Sequence, residues 1–172
     1  MKRFFAAAVL ACSLAAGQAG VFNFTFNLTG AQETPPTGSS GGAGGIATFD
    51  SATDMISLSA FFAGLAAPAT ASHIHDGAPG VPGPVIVSFV PFTPSATSGS
   101  IVGGPLAFPT ADIPDLFAGN TYFNIHDSVF PGGELRGQLL LVPEPSSLAL
   151  LALGAAGVIL RRRSAASKTA AV

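Results

Sequence analysis

Residues 21 to 29 read VFNFTFNLT, apolar and polar side chains in strict alternation. Phe22, Phe24, Phe26 and Leu28 fall on one face of an extended chain; Asn23, Thr25 and Asn27 fall on the other. Successive side chains of a strand point to opposite sides, so this is a half-buried strand. No long amphipathic stretch follows that could cover it as a helix. Short strand-like runs follow instead: GIATFD, MISLSAFFAGL, Ser72 to Asp76, PVIVSF, SGSIVG, NTYFNIHD and GELRGQLLLV. Turn chemistry separates them. GAQETPPTGSSGGAGG reads as a long loop, Asp50 to Asp54 as a hairpin connection, and Pro131-Gly132-Gly133 as the last turn. Thr110 can cap one or two helical turns that Gly119 stops. Seven or eight short strands predict an all-β, antiparallel sandwich or barrel. The length suits an immunoglobulin-like Greek key. With no Trp and one Cys in the chain, its core is not of the antibody type.

Both ends stand apart from this pattern. Met1-Lys2-Arg3 is basic, Phe4 to Ala16 is apolar, and Gly17-Gln18-Ala19 puts small residues before a cut after Ala19. That order predicts a secretory signal helix over residues 1–19, removed by signal peptidase. The apolar run is shorter than the ~20 residues that span a bilayer. Cys12 falls within it, in Val9-Leu10-Ala11-Cys12, a faint likeness to a lipoprotein box behind a very short apolar segment. The domain proper, residues 20–141, therefore has no disulfide. Its length suits one modest core. Residues 142–172 bring Val142-Pro143-Glu144-Pro145-Ser146, an apolar helix from Leu148 to Leu160, and Arg161-Arg162-Arg163. The arginines favour the cytoplasmic side and predict transient anchoring in the inner membrane.

Charge excludes some partners. Between Val21 and Val142 the acids are Glu33, Asp50, Asp54, Asp76, Asp112, Asp115, Asp127 and Glu134, against Arg136 alone. Eight acids and one base leave the domain near −7, whereas the whole chain is −2. Such a surface repels nucleic acid and anionic lipid. It tolerates divalent cations.

The three histidines carry the most chemistry. His73 and His75 lie in SHIHDGAPGVPGP; His126 lies in the partial echo FNIHDSVFPGGELRG. Strand residues i and i+2 share a face, so His73 joins His75, and Asn124 joins His126. If the two strands are neighbours, three imidazoles converge in a set suited to Zn²⁺ or Cu²⁺. Asp76 or Asp127 could be a fourth ligand, or an acceptor that orients an imidazole. The same residues also fit plain turn chemistry: each aspartate can cap the Gly/Pro-rich turn after it, and each histidine can bond loop carbonyls. Arg136 shares a strand face with Glu134 and could pair with it, with Glu33 or with an aspartate. Nucleophilic catalysis has no footing. Ser72 and His73 face opposite sides, and there is no G-x-S-x-G elbow. GGAGG is followed by no Lys, so it is no phosphate loop.

Three blocks, LTGAQETPP, SHIHDGAPGVPGPVIVSF and YFNIHDSVFPGGELRGQL, resemble the CHRD domain and occur in its order. The resemblance implies an all-β, immunoglobulin-like barrel and no established catalytic activity. The tail, with Pro143, Glu144 and Pro145 ahead of an apolar helix and a basic stop, resembles the PEP-CTERM sorting signal. That implies recognition by an exosortase and delivery to the cell surface or extracellular matrix of a Gram-negative bacterium. His-x-His on a β-sandwich is also similar to copper–zinc superoxide dismutase, but those enzymes use more histidines than this chain has. The expected role is structural or adhesive rather than catalytic, with extracellular polysaccharide or surface proteins as partners. The alternative is a Zn- or Cu-binding module with a redox role. N-terminal sequencing of the exported protein is expected to begin at Gly20; a lipid-modified Cys12 at the N-terminus would overturn the signal-peptidase assignment.

Overall fold

A computed structural model describes residues 20–89, 96–143 and 153–158. The chain divides into two compact units, Met1–Leu141 and Val142–Val172. In the second unit residues 153–158 are helical. Among the described residues no helix is long and apolar enough to cross a membrane. The signal segment with Cys12 and Ala19, Glu144 and Pro145 of the sorting motif, and the terminal arginines lie outside the described residues.

In the first unit every strand pairing among the described residues is antiparallel. Its strands are β1 (Val21–Thr29), β2 (Gly42–Asp50), β3 (Met55–Ala63), β4 (Ala69–Asp76), β5 (Val85–Phe89), β6 (Gly99–Ala107), β7 (Thr121–Asp127), β8 (Leu135–Gln138) and the short β9 (Leu140–Leu141). They form one sheet in the order β5-β4-β7-β8-β1-β2-β3-β6, with β9 beside β1. The two ends of that order come back together. A Cβ on Gly103 of β6 would lie 2.6 Å from the Phe89 ring of β5, so glycine lets the seam close. The result is a nearly closed barrel. Counting that seam, β4, β5 and β6 follow one another and β7 returns beside β4, which is the Greek-key order. The predicted all-β, antiparallel Greek-key architecture is what the chain adopts, in its barrel form. In detail, β1, β2 and β3 are consecutive neighbours in one wall, whereas in immunoglobulin domains the third strand crosses to the opposite sheet.

The alternation in β1 decides the core. Phe24, Phe26 and Leu28 are buried, and they meet Phe49, Ile56, Leu58, Ile74, Ile101, Phe123 and Leu135 from the other strands. One end of the barrel is closed by α1 (Ile113–Ala118), which Gly119 ends at φ 74°, a left-handed geometry glycine adopts without strain. Phe117 of α1 sets its edge against Phe22, Phe24 and Phe49 at centroid distances of 4.8, 5.8 and 6.0 Å. Such edge-to-face rings add to area burial.

One expectation fails here. The glycine-rich run before GIATFD is not all loop, because β2 begins at Gly42 and pairs with both β1 and β3. Gly45 shows why. A Cβ there would strike the Ser59 carbonyl and lie 2.8 Å from the Phe26 ring. The glycine is needed because a core phenylalanine and a neighbouring backbone occupy that space.

Phe24 is fully buried among these rings. Phe24→Ala is expected to destabilise the domain by about 3–5 kcal/mol. Chemical denaturation should show this as a lower midpoint with an unchanged slope.

Candidate metal centre

β7 departs from ordinary strand burial, since all seven of its residues are buried. Phe123 and Ile125 face the core. Tyr122, Asn124 and His126 face outward, yet loops cover them. β7 lies between β4 and β8, with His73 opposite Asn124, His75 opposite Tyr122, and Ala71 opposite His126. Ala71 offers only a methyl, so no side chain of β4 opposite His126 keeps its ring from the His73 ring, and the ring centroids lie 4.8 Å apart. The three imidazoles thus meet on the outer side of the barrel wall. One nitrogen from each lies within 4.8 Å of the others.

Two loop carbonyls set the proton positions. The turn after β4 brings the Gly83 carbonyl to His75 Nδ1 at 2.9 Å. The turn after β7 brings the Pro131 carbonyl to His126 Nδ1 at 3.0 Å. A carbonyl can only accept, so each Nδ1 carries the proton and each Nε2 presents a lone pair. Nε2 of His126 lies 2.9 Å from Nδ1 of His73, and His73 therefore donates to it. Nε2 of His75 is buried without a hydrogen-bond partner among the described residues. An acceptor buried unpaired costs about 1–3 kcal/mol.

Electrostatics favour the neutral form of His73 and His126. Burial, then the neighbouring His126 and His75, lowers the His73 pKa to about 4. Burial also lowers that of His126, against the opposing pull of the Pro131 carbonyl. Neutral imidazole is the form that ligates a metal. Bonds of ~2.0–2.1 Å to one ion set ligand nitrogens roughly 3.3–3.5 Å apart. His73 Nδ1 and His126 Nε2, now 2.9 Å apart, would therefore have to separate and His73 Nδ1 give up its proton, while any pair near the 4.8 Å limit would have to close.

A stack holds the cluster in place. The His75 ring lies parallel to Tyr122, 4.8 Å away with 6° between planes. The Arg136 guanidinium carbon sits 3.5 Å from the Tyr122 centroid; Arg136 comes from β8, on the other side of β7. Arg136 Nη2 donates to the carbonyls of Ala78 at 2.8 Å and Val81 at 3.0 Å. The Gly83 N–H donates to the Tyr122 hydroxyl at 3.2 Å. The loop that orients His75 is therefore fastened to the same wall as the histidine.

The structure places the remaining candidates elsewhere. Asp127 accepts from Val129 and Phe130 N–H through Oδ1, at 3.0 and 2.6 Å, and from Ala67 N–H through Oδ2, at 2.7 Å. It caps its turn and clamps the β3–β4 crossover, and it is not among the grouped ligand atoms. Asp76 lies at the α1 end, within the field of Asp115 and Asp112. Glu134 does not pair with Arg136. It accepts from Ser39 Oγ at 2.6 Å and Ala66 N–H at 2.9 Å, because it lies ahead of β8 and turns toward those loops. Glu33 is the acid whose charge Arg136 feels. Sequence reasoning missed Tyr122, Gly83 and Pro131 as supports of the cluster. Their only signal is that each IHD is followed by a Gly/Pro turn able to fold back over its own histidine.

The CHRD domain matches residues 24–139, and the PEP-CTERM protein-sorting motif matches residues 141–163. No curated protein and no solved structure matches the chain. The sorting motif is that of exported, cell-surface proteins of Gram-negative bacteria, processed by exosortase. With its CHRD match running from within β1 to Leu139, just past β8, the chain belongs to the CHRD domain family.

Proposed function

We propose that this exported domain is a metal-binding module that holds one copper or zinc ion on His73, His75 and His126, without catalysing a reaction of its own. The observation that carries the reading is the buried, unpartnered Nε2 of His75, pointing into a cluster whose other nitrogens lie within 4.8 Å. The Gly83 and Pro131 carbonyls support it, because an acceptor on the far nitrogen orients an imidazole toward a metal and raises its basicity. His73 gives up its bond to His126 when the ion enters. With Asp127 engaged elsewhere and Asp76 outside the grouped ligand atoms, the fourth position falls to water or to an external ligand, as in open three-ligand sites. A set of neutral nitrogens favours copper over zinc by the ordinary order of divalent affinities. Sorting to the cell surface would put the site in contact with external metal.

Metal analysis and calorimetry on the mature protein test this. One ion per chain is expected, with Cu²⁺ displacing Zn²⁺. His75→Ala and His126→Ala should each abolish stoichiometric binding. Tyr122→Ala, which removes the stacked support of His75, should weaken it about 10–100-fold. Stoichiometric metal that survives His126→Ala would sink the three-histidine site.

The metal-free domain should also respond to acid through the same residues. His73 titrates at about 4 when folded, against 6.5 ordinarily. Between those values the unfolded chain binds more protons, so stability is full above 6.5 and is lost as pH falls toward 4. His126 shifts in the same direction. Glu33 and Glu134, raised by burial, oppose that slope but cancel when two variants are compared. Urea midpoints measured with chelator from pH 7 to pH 4 are expected to fall less steeply in His73→Asn than in the native chain.

A further inference from the structure

A cavity of about 200 Å³ opens beside β8. It is lined by Gln32 and Glu33 from the β1–β2 loop, Pro79 and Gly80 from the β4–β5 turn, and Arg136 and Gln138 from β8. Topology brings these segments together. Arg136 lies opposite Thr29, the last residue of β1. One tight helical turn, Gly30–Gln32, then delivers Glu33 to the same hollow. From the other side, Arg136 Nη2 donates to the Ala78 and Val81 carbonyls and holds the β4–β5 turn over it. A Cβ at Gly80 would meet nothing within 4 Å, so the cavity is open there.

Most of its polar lining is already used. Gln32 Nε2 donates to the Asn27 carbonyl and to Thr29 Oγ1, at 2.8 and 3.2 Å. Gln138 Nε2 donates to the carbonyls of Gly77, Gly119 and Thr121, and its Oε1 accepts from Arg136. The two charges are different. Arg136 is 1% exposed, and its hydrogen bonds to the described residues all leave from Nη2. A guanidinium also donates from Nε and Nη1. Glu33 Oε1 is buried without a hydrogen-bond partner among the described residues, so this carboxylate keeps acceptor capacity. Arg136, the Thr34 N–H and the Asn124 amide lie close enough to favour its charged form against burial. Acid and base feel one another's charge, yet no hydrogen bond joins them. They share a cavity and leave a gap between them.

We propose that this cavity binds a small free α-amino acid, its carboxylate on Arg136 and its ammonium on Glu33. Such a molecule carries both charges on one carbon. At ~30 Å³ for each water-sized group, the cavity holds roughly six or seven non-hydrogen atoms, the size of alanine or serine. Other ligands satisfy only half of the site. A simple anion meets the Glu33 carboxylate, and a simple cation meets the Arg136 guanidinium. A peptide end brings one charge. A quaternary betaine has no N–H to give an acceptor. Burial disfavours both protein charges, so a ligand that neutralises each is held by both. No histidine lines the cavity, and the proposal does not rest on the metal site.

An NMR titration of the mature exported protein, labelled with ¹⁵N, tests the proposal at pH 8. Chelator is present throughout, so that complexes of metal with amino acid do not enter the readout. Glycine and alanine are expected to shift the Arg136 Nε–H and Gly80 N–H resonances saturably. Acetate, methylamine and glycine betaine should bind at least tenfold more weakly. Glu33→Gln should lower glycine affinity about tenfold or more and let acetate bind as well as glycine does. The native chain's preference for glycine over acetate and methylamine decides the matter alone if Glu33→Gln does not fold. The proposal is overturned if no amino acid gives saturable shifts, if acetate or methylamine binds the native chain as tightly as glycine, or if folded Glu33→Gln binds glycine like the native chain.

Discussion

The structure depends on one strand that has no solvent side. β7 must fill the barrel with Phe123 and Ile125 while its outward residues, Tyr122, Asn124 and His126, are buried too. Burying polar groups on an outer wall is stable only if each finds a partner. Asn124 Oδ1 and His75 Nε2 stay without a partner among the described residues, but the Gly/Pro-rich turns after β4 and β7 supply carbonyls to His75 and His126 and an N–H to the Tyr122 hydroxyl. Their rigidity follows from the same requirement, since a mobile turn would leave imidazole N–H groups unpaired. The site is therefore a by-product of roofing a strand that is buried twice.

Arg136 is the second constraint. It is the domain's only cation and is 1% exposed. Burial lowers its pKa, while Tyr122 and Glu33 oppose the shift. A buried guanidinium needs acceptors on several sides, and it finds them in the Ala78 and Val81 carbonyls and in Gln138. Gln138 in turn donates to the Gly77 and Gly119 carbonyls at 3.1 and 2.9 Å, tying the β4–β5 turn to the end of α1. On the opposite side of the cluster, Asp127 and Glu134 do the same work with acceptors. They hold Ala67 and Ala66 of the β3–β4 crossover at 2.7 and 2.9 Å. Burial raises the Glu134 pKa, and the neighbouring Asp127 raises it further. The few charges inside the domain thus serve largely to hold loops.

Much of the fold was legible because strand alternation is a direct consequence of geometry. The inward set of β1 could be named from VFNFTFNLT alone. Where the reading failed, tertiary crowding had overridden local preference. Glycine disfavours strands in isolation, but at Gly45 a neighbouring backbone and the Phe26 ring leave room for nothing larger. Of the acids open to Arg136, Glu134 drops out for a related reason: spacing puts two residues on one face only within a strand, and β8 begins after Glu134, so the acid whose charge reaches Arg136 is Glu33.

The site divides along the same line. Sequence by itself determined that His73 and His75 share a face, that each histidine segment runs into a turn, and that the barrel is acidic with a single cation. Those follow from residue order and the two-residue period of a strand. Only the tertiary structure decided that β7 lies beside β4, and that two turns fold back to fix the proton on Nδ1 of His75 and His126 and leave each Nε2 facing the cluster. Which strands become neighbours is set by how the whole apolar surface closes on itself, and no local stretch of sequence contains that information.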